Sequence, residues 1–258
     1  MKNATVLLLI LFINCFVFSQ DYKFETIIDL DATEVISQGN TGTCWSFSTS
    51  SFLESEIIRL TGKRIDLSEM YNVRHTYPKK ARNYLMRQGK AQFSEGGLAH
   101  DVINSIKENG LVPVSAYKGF VDEKTKRHNH SEMTKVLKGV LDVYIDNPGR
   151  QLSSKWEAVI NTILDLYIGK TVNSFNYEGI RYTPQSFLKM TKIVPADYVS
   201  LTAFKHQPLY SNFILNIPDN FSNGSFYNVK LNELVDIVNT ALESGYTCLL
   251  YTSPSPRD

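Results

Sequence analysis

A glycine-containing turn that leads directly into a long uninterrupted helical stretch is the feature that most limits how this chain can fold. Residues 38–43 contain two glycines, so the backbone there can adopt tight or positive-φ geometry. Residues 44–61 contain no Pro or Gly. Their apolar side chains at helical spacing include Trp45, Phe52, Ile57 and Leu60. We therefore predict a helix that begins at Cys44, with the turn placed against its N-terminus.

A cysteine at the start of a helix lies where free backbone N–H groups and the helix dipole favour negative charge. This location stabilises a thiolate, which is the nucleophilic form of cysteine. Gln38 lies six residues before Cys44, so its side-chain amide can fold back over the turn. Together, that amide and the helix N–H groups can stabilise the oxyanion of an acyl-transfer intermediate.

The cysteine count also favours a reactive thiol. The chain has three cysteines, Cys15, Cys44 and Cys248. We expect Cys15 to be removed with a signal peptide and Cys248 to belong to a foreign tail, which leaves Cys44 without a disulfide partner. A single cysteine in an exported protein is either a small buried apolar residue or a reactive thiol, and the neighbours of Cys44 favour the second.

The N-terminal residues are interpreted separately from the fold. Residues 1–19 combine a weakly positive start with an apolar run, the layout of a secretory signal peptide. We predict cleavage after Ser19 and export to the periplasm or the exterior; an uncleaved anchor is the alternative. The apolar run is short for a membrane span and no other stretch is long enough, so we expect no stable membrane span.

The C-terminal residues 248–258 look like an in-frame translation of the transposase adapter used in sequencing-library preparation. We therefore expect a truncated reading frame, with a genuine Ser/Pro tail as the alternative, and exclude this segment from fold reasoning. Residues 20–247 remain as the N-terminal part of a larger domain. The formal net charge of +1 gives no electrostatic reason to expect a nucleic-acid partner.

A second motif follows the helix. The sequence from Ser94 to Asp101 contains the pair Gly96 and Gly97, and it continues to Pro113 through an apolar stretch. Because glycine has no Cβ, this pair allows another backbone to approach closely. An ordinary loop is the alternative for an isolated glycine pair.

The string Gln-x5-Cys-Trp-Ser-Phe at 38–47 resembles the active-site signature of papain-like cysteine peptidases. The resemblance implies that Gln38 is the oxyanion donor, that Cys44 is the nucleophile, and that Trp45 packs beside it and contributes to substrate binding. Many secreted members carry a second cysteine three residues before the nucleophile, where this chain has Thr41. This difference points to the bleomycin hydrolase/aminopeptidase C branch.

The same resemblance extends to the second motif. Gly96 and Gly97 match the family's Gly-Gly loop, which forms a wall of the cleft, so both are expected to bind substrate. Residues 67–70 resemble a structural Leu-Ser-Glu-Gln element of that fold. The expected fold is therefore α+β and papain-like, comprising mainly the helical N-terminal half plus an insertion region, with the catalytic barrel half largely missing.

The expected catalytic partners are not recognisable in this sequence. In the family, the histidine that pairs with the thiolate and the asparagine that orients it lie far downstream. None of the five histidines has the required context, and we expect both partners beyond residue 247. His128 and His130 lack carboxylate or Cys neighbours at ligand spacing, so we expect no metal site, and no cofactor is implied.

The full-length parent is predicted to hydrolyse peptide bonds through a thioester on Cys44 and to act as an aminopeptidase, whereas this chain is predicted to be inactive. Peptides are the expected partners, and hexameric relatives suggest a homo-oligomer without assigning one. One alternative is a non-catalytic papain-fold protein that binds peptides. Another is a different Cys-dependent acyl-transfer enzyme, such as an amidase or a transglutaminase-like protein.

The remaining periodicity predicts further elements. A helix is expected to end at Asn109-Gly110, a common C-terminal signal. The predicted helices are 98–108, 132–146, 153–168 and 230–243, and the predicted short strands lie near 171–182 and 211–217.

Overall fold

The computed structural model describes residues 23–120, 127–146 and 151–250. The predicted signal peptide lies outside the described residues, as does most of the predicted foreign tail. Within the described ranges, no helix combines the length and apolar character needed to cross a membrane.

Helices dominate the N-terminal part of the described chain. The α-helices are α1 (Cys44–Thr61), α2 (Glu69–Met86), α3 (Ala99–Asn109), α4 (Ser131–Ile145), α5 (Trp156–Ile168), α6 (Pro184–Thr191) and α7 (Leu231–Glu243). The strands are β1 (Phe175–Tyr177), β2 (Ile180–Tyr182), β3 (Leu201–Thr202), β4 (Asn212–Ile214) and β5 (Ser225–Asn228). This mixed arrangement confirms the predicted α+β class, with a helical N-terminal portion and few strands.

The strands form two small sheets. Strands β1 and β2 make an antiparallel hairpin in which Phe175 pairs with Tyr182. In the second sheet β5 lies centrally, parallel to β3 and antiparallel to β4. The loop between β4 and β5 packs against the start of α3, where Ser222 Oγ donates to Asp101 Oδ1 at 2.6 Å.

The apolar core lies between helices α1 to α6. Its fully buried members include Leu53, Ile57, Val102, Ile106, Leu137, Leu141, Ile160, Leu164 and Phe187. Burying one such side chain contributes about 1.5–3 kcal/mol, so the apolar faces of these helices are sufficient to hold α1 in a defined place.

Local signals account for several helix ends. Ser68 caps α2 by accepting a hydrogen bond from the Tyr71 N–H at 3.1 Å. Helix α3 ends just before Gly110, whose φ of 80° lies in the region that favours glycine. Helix α2 also contains Pro78, which removes one N–H from its hydrogen-bond ladder while the helix continues to Met86.

The predicted helices agree with the structure to within a few residues at either end. Helix α6 was not predicted, although Thr183 as N-cap followed by Pro184 is a recognisable start signal. Strands β3 and β5 were also missed because each is only two to four residues long and is defined by a partner distant in sequence.

Candidate active site

Cys44 is the first residue of α1, and it is exposed. The Thr43 side chain at the N-cap makes no capping hydrogen bond and instead lies 2.6 Å from Thr41 Oγ1. The start of the helix therefore keeps N–H groups and a positive dipole end next to the thiol. The part of the chain that the structure describes offers the Cys44 thiol no hydrogen-bond partner.

The turn before Cys44 is closed by its own side chains. Gln38 Nε2 donates to the Thr41 carbonyl at 2.5 Å, and Thr41 Oγ1 donates to the Gln38 carbonyl at 3.0 Å. Because a primary amide has two N–H groups, one donor of Gln38 remains for another acceptor. The turn is thus ordered before any substrate binds.

Residues 128–130, which are distant in sequence, form backbone hydrogen bonds with this turn. The Asn40 N–H donates to the His128 carbonyl at 2.8 Å, and the His130 N–H donates to the Asn40 carbonyl at 3.3 Å. The His128 ring stacks on Phe120 with centroids 4.0 Å apart. Burial lowers the pKa of both histidines to about 4, so both are neutral at pH 7 and serve as packing groups.

The loop that contains the two glycines is joined to the turn. Glu95 Oε2 accepts the Gly42 N–H at 2.5 Å, and the Glu95 carbonyl accepts the Trp45 indole N–H at 3.0 Å. Trp45 is only 2% exposed and lies beneath Gly97, where an added Cβ would come within 2.9 Å of two indole carbons. Any contribution of Trp45 to substrate binding would therefore act through Gly97.

The turn that bears Gln38 and the loop that bears Gly96 and Gly97 therefore lie in contact through Glu95 and Trp45. The model of the papain family cysteine protease matches residues 25–180, more than half of the chain. The chain belongs to the papain family of cysteine proteases.

Curated relatives from this family each match part of the chain. A cathepsin L-like peptidase from Aedes aegypti is 29% identical over 158 residues, which is 59% of this chain and 42% of that protein. Procathepsin L from Mus musculus is 40% identical over 78 residues, covering 30% of this chain and 20% of its own length. A senescence-specific cysteine protease, SAG39, from Oryza sativa subsp. indica is 30% identical over 135 residues, 52% of this chain and 36% of that protein. The chain therefore spans less than half the length of these relatives.

A solved structure of PepW from Lactobacillus rhamnosis HN001 shares the fold of this papain-family chain. It superposes with a TM-score of 0.69 at 18% sequence identity, over 85% of this chain and 58% of PepW. The predicted papain-like fold is thereby confirmed.

Gly96 lies between two charged residues that come from elsewhere in the papain-family fold. Lys80, only 5% exposed, donates from Nζ to the Gly96 carbonyl. On the other side, an added Cβ at Gly96 would come within 2.6 Å of Asp219 Cγ. Burial lowers the pKa of Lys80 to about 8, and the charge of Asp219 partly opposes that shift. Packing within the protein thus already requires glycine at this position.

Sequence reasoning missed Glu95, Lys80 and Asp219. Glu95 directly precedes the glycine pair, so its place in the motif was an available signal. Lys80 and Asp219 carry no such signal, because each reaches Gly96 only through tertiary folding.

A cavity of about 500 Å³ lies beside the exposed face of α1 and is lined in part by Phe47 and Ser48. Carboxylate oxygens of Glu54, Asp66 and Glu69 lie there within 4.8 Å of one another. Burial raises the pKa of Glu69 to about 8, and it also raises the pKa values of the other two. Glu69 is therefore mainly protonated at pH 7, which reduces the repulsion within this group.

Proposed function

We propose that this chain carries the nucleophile half of a cysteine peptidase that cleaves peptide bonds through a thioester on Cys44. The observation that supports this is the placement of an exposed Cys44 at the start of α1, directly after a closed turn that bears Gln38. Family membership supports the same chemistry. We further propose that Gln38 donates to the oxyanion and that Gly96 and Gly97 line the peptide-binding wall.

The reaction proceeds in two balanced steps. The Cys44 thiolate attacks the peptide carbonyl carbon, and the carbonyl electron pair moves onto oxygen, where Gln38 and the N–H groups of α1 stabilise it. The C–N bond then breaks, the amine leaves with a proton, and a thioester remains. Water hydrolyses the thioester to a carboxylic acid and restores the thiol.

The proton for the departing amine needs a general acid. None of the described residues forms a hydrogen bond with the Cys44 thiol. We propose that this acid is a histidine, oriented by an asparagine, in a longer parent protein. This chain alone is then expected to form a covalent bond with thiol reagents but not to turn over peptides.

The aminopeptidase type is a finer proposal. It rests on the resemblance to the bleomycin hydrolase/aminopeptidase C branch. That branch is indicated by Thr41, which stands where many secreted papain-like peptidases carry a cysteine. Peptides with a free N-terminus are the proposed substrates. Export through residues 1–19 and assembly into a homo-oligomer are proposed from the sequence and the resemblance.

Labelling with a peptidyl epoxide tests the nucleophile directly. We expect the label on the Cys44 peptide in mass spectra, its loss in Cys44→Ala, and its retention in Cys248→Ser. Equal labelling of Cys44 and Cys248, both of which are exposed, would argue for general thiol reactivity instead. In the full-length parent, faster cleavage of free than of N-acetylated peptides supports the aminopeptidase type, and peptide binding without labelling supports a non-catalytic role.

A further inference from the structure

One side chain connects the two loops of the candidate site. The Gly42 N–H donates to the Glu95 carboxylate at 2.5 Å, and the Trp45 indole N–H donates to the Glu95 carbonyl at 3.0 Å. We refer to the hydrogen bond between the Gly42 N–H and the Glu95 carboxylate as the Glu95 bridge; the indole bond is accepted by the backbone and does not depend on the side chain of residue 95. Gly42 belongs to the turn that bears Gln38, whereas Glu95 directly precedes Gly96, so the bridge spans the space between turn and wall.

The bridge is built from a charged acceptor with a fixed orientation. A carboxylate holds a backbone N–H by a shorter and stronger bond than a neutral acceptor does. The second oxygen, Glu95 Oε1, lies 3.4 Å from Thr134 Oγ1 on α4. An added Cβ at Gly42 would lie 3.0 Å from Glu95 Cβ, so the two loops already touch at this point. The two loops therefore meet at Glu95.

We propose that Glu95 is a positioning residue that sets the distance between the oxyanion-binding turn and the Gly96-Gly97 wall. This inference rests on the proposed peptidase function. The bonds that form and break remain on Cys44, and Glu95 exchanges no proton. Because oxyanion stabilisation depends on where the donors lie, loss of the bridge must weaken oxyanion binding more than it slows simple thiol alkylation.

Two reagents distinguish oxyanion binding from simple alkylation of the thiol. Both are applied to protein that carries the Cys248→Ser substitution, so that Cys44 is the cysteine that reacts. With a peptide aldehyde, Cys44 Sγ bonds to the aldehyde carbon, the carbonyl electron pair moves onto oxygen, and the thiol proton ends on that oxygen as a thiohemiacetal. With iodoacetamide, Cys44 Sγ displaces iodide from a carbon atom, and no oxyanion forms. Glu95→Ala removes the acceptor, whereas Glu95→Gln keeps a carbonyl oxygen. Glu132→Gln, on α4 and bonded to Tyr167, is the control.

We expect Glu95→Ala to weaken aldehyde affinity about 10- to 100-fold, while Glu95→Gln stays within about threefold of wild type. Alkylation rates of Cys44 should agree within about twofold in all variants, and Glu132→Gln should match wild type in both assays. Unchanged aldehyde affinity in Glu95→Ala overturns the proposal. A parallel loss in both assays also overturns it, because that result indicates a purely structural role.

Amide hydrogen exchange at Gly42 gives a readout that does not need peptidase chemistry. We expect exchange to be at least about tenfold faster in Glu95→Ala than in Glu95→Gln, because only the latter can retain the bond. Unchanged exchange contradicts the bridge itself. A wild-type protein that binds no aldehyde contradicts the peptidase function instead, so the two failures are distinguishable.

Discussion

The buried ammonium of Lys80 on α2 donates a hydrogen bond to the backbone carbonyl of Gly96. A charged group this deeply buried needs compensation, and the carboxylates of Asp219, Asp101 and Glu95 provide it through their charges. The ring of Phe221 also lies 5.3 Å from Nζ. Lys80 therefore holds the glycine loop at the Gly96 carbonyl, one residue after Glu95.

Replacing Lys80 tests this role. In Lys80→Met the Gly96 carbonyl loses its donor and the nearby carboxylates lose their cation, so we expect the free energy of unfolding to fall by about 1–3 kcal/mol. Urea unfolding measures the difference. Lys79→Met is the matched control, because Lys79 is only half-buried and its ion pair with Glu108 should be worth less than about 1 kcal/mol. Equal effects of the two substitutions would refute the structural importance of Lys80.

The contact of Gly97 with Trp45 predicts a steric penalty. An alanine Cβ at residue 97 would lie 2.9 Å from the indole ring, so Gly97→Ala should lower the free energy of unfolding by about 1–3 kcal/mol. Gly139→Ala is the control. Gly139 lies within α4 with nothing near its Cβ position, so that substitution should stabilise the protein by about 0.5–1 kcal/mol. If both substitutions changed the free energy of unfolding in the same direction, this explanation would be contradicted.

The buried His130 predicts sensitivity to acid. Burial lowers its pKa from 6.5 to about 4, so the unfolded chain takes up a proton below pH 6.5 while the folded chain does not until about pH 4. Stability should therefore decrease as the pH falls through this window, by on the order of 1–3 kcal/mol for this residue. Urea unfolding at a series of pH values should give a flatter profile for His130→Phe. An identical slope in that variant would rule out His130 as the cause.

The buried Glu69 predicts that stability changes with pH in the opposite direction, in a higher pH range. Burial raises its pKa from 4.5 to about 8, so in that interval the folded chain retains a proton that the unfolded chain has released. Stability should therefore decrease as the pH rises from 4.5 to 8, by on the order of 1–3 kcal/mol. Glu69→Gln removes this dependence and should be more stable than wild type at pH 8. A Glu69→Gln protein that is less stable than wild type at pH 8 would contradict the assignment.

Local sequence patterns were sufficient to predict the elements that carry the candidate nucleophile. Helix α1 begins at Cys44 and α3 ends before Gly110, because apolar spacing and glycine conformation act within a few residues. The family signature around Gln38 likewise depended on a contiguous string. These features are encoded by neighbours along the chain, and a sequence alone therefore determines them.

The supports of the candidate site were decided by tertiary structure. Gly42 and Glu95 are 53 residues apart, yet one hydrogen bond joins them. The pairing of Asn40 with the 128–130 segment, and the approach of Asp219 to Gly96, similarly link distant parts of the chain. Such contacts depend on how the apolar faces of several helices pack, and no local pattern records that packing. The sequence therefore determined the candidate nucleophile, and only the fold decided which contacts hold the residues around it in position.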